Sequence, residues 1–232
     1  MAALPLEPTL AKMLLESTPF GCSREMLALV SVLAASAESP FFSNPAHDQQ
    51  RAQQAAAARQ RLRSPDGDHL TLLNAFERAT AFDTESERAM WCKENFVQHR
   101  TLRKALDIRE QLLGHLKRME MLPLLSCRPD VDAVRRCLVK AAFLHAAVHQ
   151  PSASGAGRGE YRAVRSGQIV FIHPTSMLFG NAGGAGRPGC VIFHELLSTS
   201  KLYMRTLTCV EEAWLMELVP EFFVKDRNGA KD

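Results

Sequence analysis

The chain has 232 residues, 46% hydrophobic and 23% charged, a mixture that supports packed cores and excludes a disordered tract. Its formal net charge is +3, too little for an overall basic footprint, so a nucleic-acid role must rest on local clustering. No two of the six cysteines form a C-x2-C pair, and no apolar stretch approaches the ~18 residues of a membrane span. The opening MAALPLEPTLAKMLL lacks the basic-then-apolar pattern of a secretory signal. The expected setting is a reducing cell interior with free thiols.

Leu6, Leu10, Met13, Leu14 and Ser17 fall at helical spacing behind Pro8, which suits a first turn. Ser17-Thr18-Pro19 stops that helix. Ser23 is the expected N-cap of a second, SREMLALVSVLAAS, with Glu25 in its first turn, ending near Ser39-Pro40. Residues 46–63 set Arg51, Arg59, Arg61 and Arg63 against one acid, Asp48, with few bulky apolar side chains; this predicts a solvent-facing helix. Pro65-Asp66-Gly67 is a turn, and Asp68 is the expected N-cap of HLTLLNAFERATAF. A further helix is expected to hold Met90, Trp91, Phe96 and Val97.

The segment HRTLRKALDIREQLLGHLKRM predicts a long helix. At 100° per residue, Arg100, Arg103, Lys104, Asp107, Gln111 and Arg118 gather on one side, with Leu102, Ala105, Leu106, Leu112, Leu113 and Leu116 on the other. Arg109 falls inside the apolar stripe. Val131 to Val148 predicts another amphipathic helix, and Pro151 to Gly157 a flexible loop tip. The period then changes. YRAVRSGQIVFIHP, GCVIFHELL and KLYMRTLTCV predict four or five short strands and a small barrel. A short helix, EEAWLMELVPEFF, is expected to pack Trp214, Leu215 and Leu218 before a frayed tail. Trp91, Phe96, Trp214, Phe222 and Phe223 read as core.

Six segments carry a family resemblance. GDHLTLLN at 67–74, WCKENF at 91–96 and ALDIREQL at 105–112 resemble the helical ratchet-like domain of DEAH-box RNA helicases. VFIHPTSMLF at 170–179, VIFHELLSTSKLYMRTLT at 191–208 and WLMELVPEFF at 214–223 resemble the OB-fold that follows it. LPLEPTLAKMLL resembles the junction leaving that family's winged-helix domain. The resemblance covers roughly residues 3–223 and implies an α+β multidomain chain, an all-α bundle followed by a small OB-fold barrel with a C-terminal helix. The implied boundaries are 1–18 for the end of the junction, 19–125 for the ratchet-like domain, 126–224 for the OB-fold with its flanking helices, and 225–232 for the tail. The Ala/Gln/Arg stretch at 46–63 fits the family pattern only loosely, and the glycine-rich insert at 180–189 is longer than the family leads one to expect. Neither a phosphate-binding loop G-x4-G-K-[ST] nor a DEAH box occurs. The resemblance thus implies the C-terminal part of a helicase whose ATP, Mg and hydrolysis belong to RecA-like motor domains outside the chain. No cofactor is expected in the chain itself.

A guanidinium in an apolar stripe must meet a carboxylate, a phosphate or a cavity opening. For Arg109, Asp68 and Glu94 are the candidate acids, and RNA contact is the other reading. Arg100, Arg103, Lys104 and Arg118 form either a solvated face or, as the resemblance implies for ratchet-like helices, the wall of a single-stranded RNA path. Lys201, Tyr203 and Arg205 alternate along a strand and project from one face, which suits phosphate contact and base stacking or an ordinary polar exposed face. His173 and Ser200-Lys201 lie where the resemblance places RNA-approaching loops. Cys190, His194 and His173 make a weak metal constellation, and Glu195 does not open a zincin motif because Ser198 stands where a second His belongs. His145 and His149 lack a third ligand. No nucleophilic catalytic set surrounds Cys137.

The expected function is therefore that of an RNA-binding and regulatory module with no catalytic residues of its own. Its bundle and barrel are expected to line a shared groove for one unpaired strand. The resemblance implies single-stranded RNA and a G-patch-type activator protein as partners, pre-mRNA splicing or ribosome biogenesis as the process, and the nucleus as the location. The alternative is a stand-alone protein-interaction scaffold with little RNA binding.

Overall fold

The computed structural model describes residues 4–45, 47–150, 160–179 and 187–223. The expected loop tip at 151–157, most of the glycine-rich insert at 180–189, the tail at 225–232 and the Phe223 side chain lie outside the described residues. Two compact units emerge: Met1–Ser64 with Leu70–Ser126, and Pro65–His69 with Cys127–Asp232.

The first unit is helical. It comprises α1 (Pro8–Leu15), α2 (Ser23–Ser36), α3 (Gln49–Leu62), most of α4 (Asp68–Thr80), α5 (Glu85–Glu94) and α6 (His99–Arg118). Its centre is α2, which buries Met26, Leu27, Leu29, Val30, Val32 and Leu33. The buried stripe of α6 is Thr101, Leu102, Ala105, Leu112 and Leu116, recurring at three- and four-residue steps as a core-facing helix requires. Cys22, not Ser23, is the N-cap residue of α2. The Ser23 hydroxyl is used at longer range, where it accepts from the Leu125 amide at 2.8 Å. Asp48 caps α3 by accepting from the Arg51 amide at 3.0 Å. This helix is not wholly solvent-facing, for Ala55, Ala58 and Leu62 bury one narrow face. Phe96 and Val97 fall after α5 rather than on it. Phe96 takes a φ of 54°, and Val97 bridges to Phe42, so the chain turns sharply before α6. Met90 is exposed.

The second unit is a closed five-stranded barrel with helices at its two ends in sequence. Its elements are α7 (Asp132–Ala142), a 3-10 turn (Phe143–His145), β1 (Ala146–His149), β2 (Glu160–Ala163), β3 (Ile169–Ile172), β4 (Cys190–Ser198), β5 (Leu202–Val210), α8 (Glu212–Leu218) and α9 (Pro220–Phe223). The order around the barrel is β1-β2-β3-β5-β4. β1 closes it by pairing antiparallel with both β2 and β4, while β3 and β5 run parallel. The helix expected up to Val148 therefore ends at Ala142. Closure needs the amides and carbonyls of Ala146–His149 for two ladders, and that demand overrides their helical pattern. The barrel core includes Tyr161, Val170, Val191, Phe193, Met204 and Leu207. Ala147 and Ala163 pair directly, leaving room for the Tyr161 ring. Its hydroxyl donates to the Pro188 carbonyl at 2.9 Å, and burial pushes its pKa up to about 12.

Residues 65–69 belong to the barrel unit because its strands hold them. Gly67 bridges to Thr208 at a φ of 126°. The Cys209 amide donates to the Asp66 carbonyl at 2.8 Å. Asp68 opens α4, and its carboxylate accepts from the Ser176 hydroxyl (2.7 Å), the Met177 amide (2.7 Å) and the Leu207 amide (2.9 Å). The expected helix cap is thus a knot inside the barrel unit.

Candidate nucleic-acid interface

The parallel pairing of β3 with β5 sets Phe171 opposite Tyr203 and Ile172 opposite Met204. Ile172 and Met204 point into the core, so Phe171 and Tyr203 stand on the outer face, as period-2 alternation demands. Their ring centroids lie 6.2 Å apart. His173, two residues along the same face, meets Tyr203 edge-on at 5.6 Å. Lys201 leads into β5 and sets its ammonium 4.2 Å from the Phe171 centroid, inside cation–π range. The expected trio of Lys201, Tyr203 and Arg205 is thus extended by His173 and by Phe171, which sequence reasoning missed. Phe171 and His173 do share a strand face in the sequence; the signal lacking was the parallel partner.

The face is electrostatically restrained. Arg205 is ion-paired with Glu195 at 3.1 Å, its direct ladder partner. Partial burial and the Arg205 charge hold the His173 imidazole below its ordinary pKa. Its Nδ1 accepts from the Thr175 amide at 3.2 Å and lies 2.8 Å from the Thr175 hydroxyl, which leaves Nε2 as the donor of the neutral ring. The arrangement offers two aromatic rings, an imidazole N–H and an ammonium. Aromatic faces stack bases regardless of sequence, and a lysine contacts phosphate as a point charge. Ser200 is exposed beside Lys201.

The helical unit presents its cations differently. Arg100 is exposed. Arg103 pairs with Glu85 at 3.4 Å, and His99 meets the same carboxylate at 3.1 Å. Lys104 pairs with Glu38 at 2.5 Å, which holds the Glu38 carboxyl below its usual range. Arg118 is exposed near the end of α6. Arg109 is half-buried, and no nitrogen of it is among the buried atoms without a partner. Among the described residues no carboxylate is paired with Arg109: Asp68 accepts from barrel residues, and Glu94 is exposed. A long aliphatic stem explains the difference, since it can cover the apolar stripe while the guanidinium reaches water.

The remaining candidates do not converge on chemistry. His194 faces His69, with centroids 6.4 Å apart, and burial pushes the Cys190 thiol up to about 12, so it is an inert thiol. His145 stacks on Phe193, and His149 packs against Tyr161. Among the described residues no three His, Cys, Asp or Glu side chains form a metal-binding group, and no helix is long and apolar enough to cross a membrane.

A helical unit followed by a closed five-stranded barrel and a C-terminal helix defines the class of the protein. Residues 7–72 match the family model described as "Helicase associated domain (HA2), ratchet-like", and residues 134–222 match the one described as "Oligonucleotide/oligosaccharide-binding (OB)-fold". The chain is 38% identical over 234 residues to the Pre-mRNA-splicing factor ATP-dependent RNA helicase DEAH10 of Arabidopsis thaliana, covering 96% of the chain and 30% of that protein. It is 38% identical over 232 residues to the ATP-dependent RNA helicase DHX33 of Homo sapiens, covering 100% and 30%. The Probable ATP-dependent RNA helicase DHX35 of Pongo abelii is 36% identical over 223 residues, covering 96% and 28%. The chain belongs to the DEAH-box ATP-dependent RNA helicase family and corresponds to its C-terminal region. It spans about 30% of the length of these relatives.

Proposed function

We propose that this chain is the RNA-binding and regulatory module of a DEAH-box helicase, guiding single-stranded RNA and offering a docking surface to a G-patch-type activator protein. ATP and Mg would be handled by motor domains outside the chain. The relative named as a pre-mRNA-splicing factor favours work on pre-mRNA in the nucleus. One observation carries the RNA reading: Phe171, His173, Lys201 and Tyr203 are brought onto one outer barrel face. Arg205 joins them as a neighbouring charge, and Arg100, Arg103 and Arg109 supply cations on the helical unit.

The test is a fluorescence anisotropy titration of the full chain with a labelled oligo-uridylate at low salt. Replacing Tyr203 or Phe171 by Leu leaves the barrel core untouched and removes a stacking face worth about 1–3 kcal/mol per base; binding should weaken roughly tenfold. Lys201→Gln should lower the salt dependence. If the wild-type chain leaves the oligonucleotide free at low salt, the RNA reading fails and a protein-interaction scaffold remains.

A further inference from the structure

The helix α3 is the element that the barrel face leaves unexplained. It carries Arg51, Arg59 and Arg61 and no acid, so its charge of +3 equals that of the entire chain. The rest of the molecule sums to zero. An exposed helix ordinarily offsets its cations with acids three or four residues away. Here the intervening positions are alanine and glutamine.

The pairing of cations elsewhere sharpens the contrast. Arg103 and Lys104 on α6 already meet Glu85 and Glu38, and Arg205 on the barrel meets Glu195. Arg51 and Arg61 are exposed, as is Arg78 on α4, and among the described residues none of the three guanidinium groups is paired with a carboxylate; Asp48 takes only the Arg51 amide. Arg78 donates to the Arg61 carbonyl at 3.2 Å, which brings those two arginines together at the end of α3. The stretch from Arg51 to Arg61 measures about 15 Å at 1.5 Å per residue. Arg59 lies over the Phe42 ring at 4.8 Å, and Phe42 bridges to Val97 just before α6. The Arg59 flank of α3 therefore lies near the start of α6, while Arg61, about 200° further round the helix at 100° per residue, lies on the opposite flank beside Arg78.

We propose that α3 is a second phosphate-binding element for single-stranded RNA, with Arg51, Arg61 and Arg78 as its contacts. Arginine suits the task because its planar fork takes two phosphate oxygens at once and stays charged at any cellular pH. The inference rests on the proposed RNA-binding role and adds a site that the barrel face does not contain.

The test compares four forms of the full chain on the same labelled oligo-uridylate over a salt series: wild type, R51Q/R61Q/R78Q, R51K/R61K/R78K, and the barrel variant K201Q/Y203L. Each phosphate contact on a single strand adds about 0.7 to the slope of log K against log salt, so the triple Gln variant should reduce the slope by about 2. A triple Arg→Lys variant should keep the slope, which separates lost charge from damaged folding; thermal midpoints should match throughout. Unchanged slope in the Gln variant, or equal loss in the Lys variant, overturns the inference. If only the barrel variant weakens binding, α3 is no contact and the proposed function stands. If only the α3 variant does, the inference stands and the barrel reading fails. No binding by wild type overturns both.

Discussion

Asp68 stands where a helix cap is expected, yet its carboxylate gathers a hydroxyl and two amides of the barrel unit. Removing it as Asp68→Ala would leave three donors without that acceptor, and hydrogen bonds to a charged group are the costlier ones to lose. The expected loss is about 2–4 kcal/mol, read as an earlier urea midpoint for the barrel unit through Trp214 fluorescence in a Trp91→Phe background. Gly67→Ala should be at least as damaging. An added Cβ would sit 2.3 Å from the Leu207 carbonyl oxygen at a φ of 126°, so both sterics and backbone strain oppose it.

His69 supplies the pH dependence at the same scale. It is fully buried, its Nδ1 is 2.9 Å from the Thr208 hydroxyl, and its Nε2 has no hydrogen-bond partner among the described residues. Burial, with the His194 charge nearby, pushes its pKa down to about 3. The unfolded chain takes up this proton near pH 6.5 while the fold refuses it. Stability present above pH 6.5 is therefore lost as pH falls from 6.5 toward 3, at about 1.4 kcal/mol per pH unit for one group. Urea midpoints at neutral and mildly acidic pH should separate more for wild type than for His69→Asn. Equal separations would mean that His69 does not drive the acid sensitivity.

Among elements, Arg135 on α7 plays the part that a core residue plays elsewhere. Its side chain is 11% exposed and lies 2.6 Å from Asp132, 3.6 Å from Asp66 and 3.9 Å from Glu211. Its Nε donates to the Cys209 carbonyl at 2.9 Å, and its guanidinium covers Trp214 at 5.0 Å. These contacts tie α7, β5 and α8 together. Arg135→Met leaves three carboxylates, two of them more than half exposed, without their shared cation and removes the bond to the Cys209 carbonyl; it should cost the barrel about 1–3 kcal/mol. Arg135→Lys should recover little, because a point charge cannot reproduce the fork and the ring contact together; full recovery in a melting experiment would show that charge alone matters.

What was legible at this scale followed the range of the interactions. The α6 stripe and the strand alternation depend on neighbours a few residues away, so periodicity revealed them. The end of α7 did not follow, because Ala146–His149 are strand only through partners at residues 161–163 and 190–192. Phe171 was overlooked for the same reason: its place in the candidate site comes from a parallel pairing across thirty residues of chain. A helical wheel sets Arg109 inside the apolar stripe, but it locates Cβ and not the end of a long stem, and the residue is half-buried.

For the molecule as a whole, the small net charge conceals how its cations are used. Glu38, Glu85 and Glu195 hold Lys104, Arg103 and Arg205; the sequence makes Arg103 and Arg205 candidate RNA contacts and sets Lys104 on the same helix face as Arg103. Exposed pairs of this kind add little to stability, so replacing their acids should hardly move the melting temperature. They do lower the local positive potential that a phosphate backbone meets. The variant E38Q/E85Q/E195Q keeps each side chain's shape while releasing Lys104, Arg103 and Arg205, along with the Arg88 and His99 contacts of Glu85. Oligo-uridylate binding should tighten severalfold at low salt, and its salt slope should steepen by up to about 2, at roughly 0.7 per recruited contact. A tighter complex with an unchanged slope would mean that the freed charges act at a distance without touching phosphate. No change in either quantity would remove Arg103, Lys104 and Arg205 from the interface and leave Arg100, Lys201 and the α3 arginines to hold the strand.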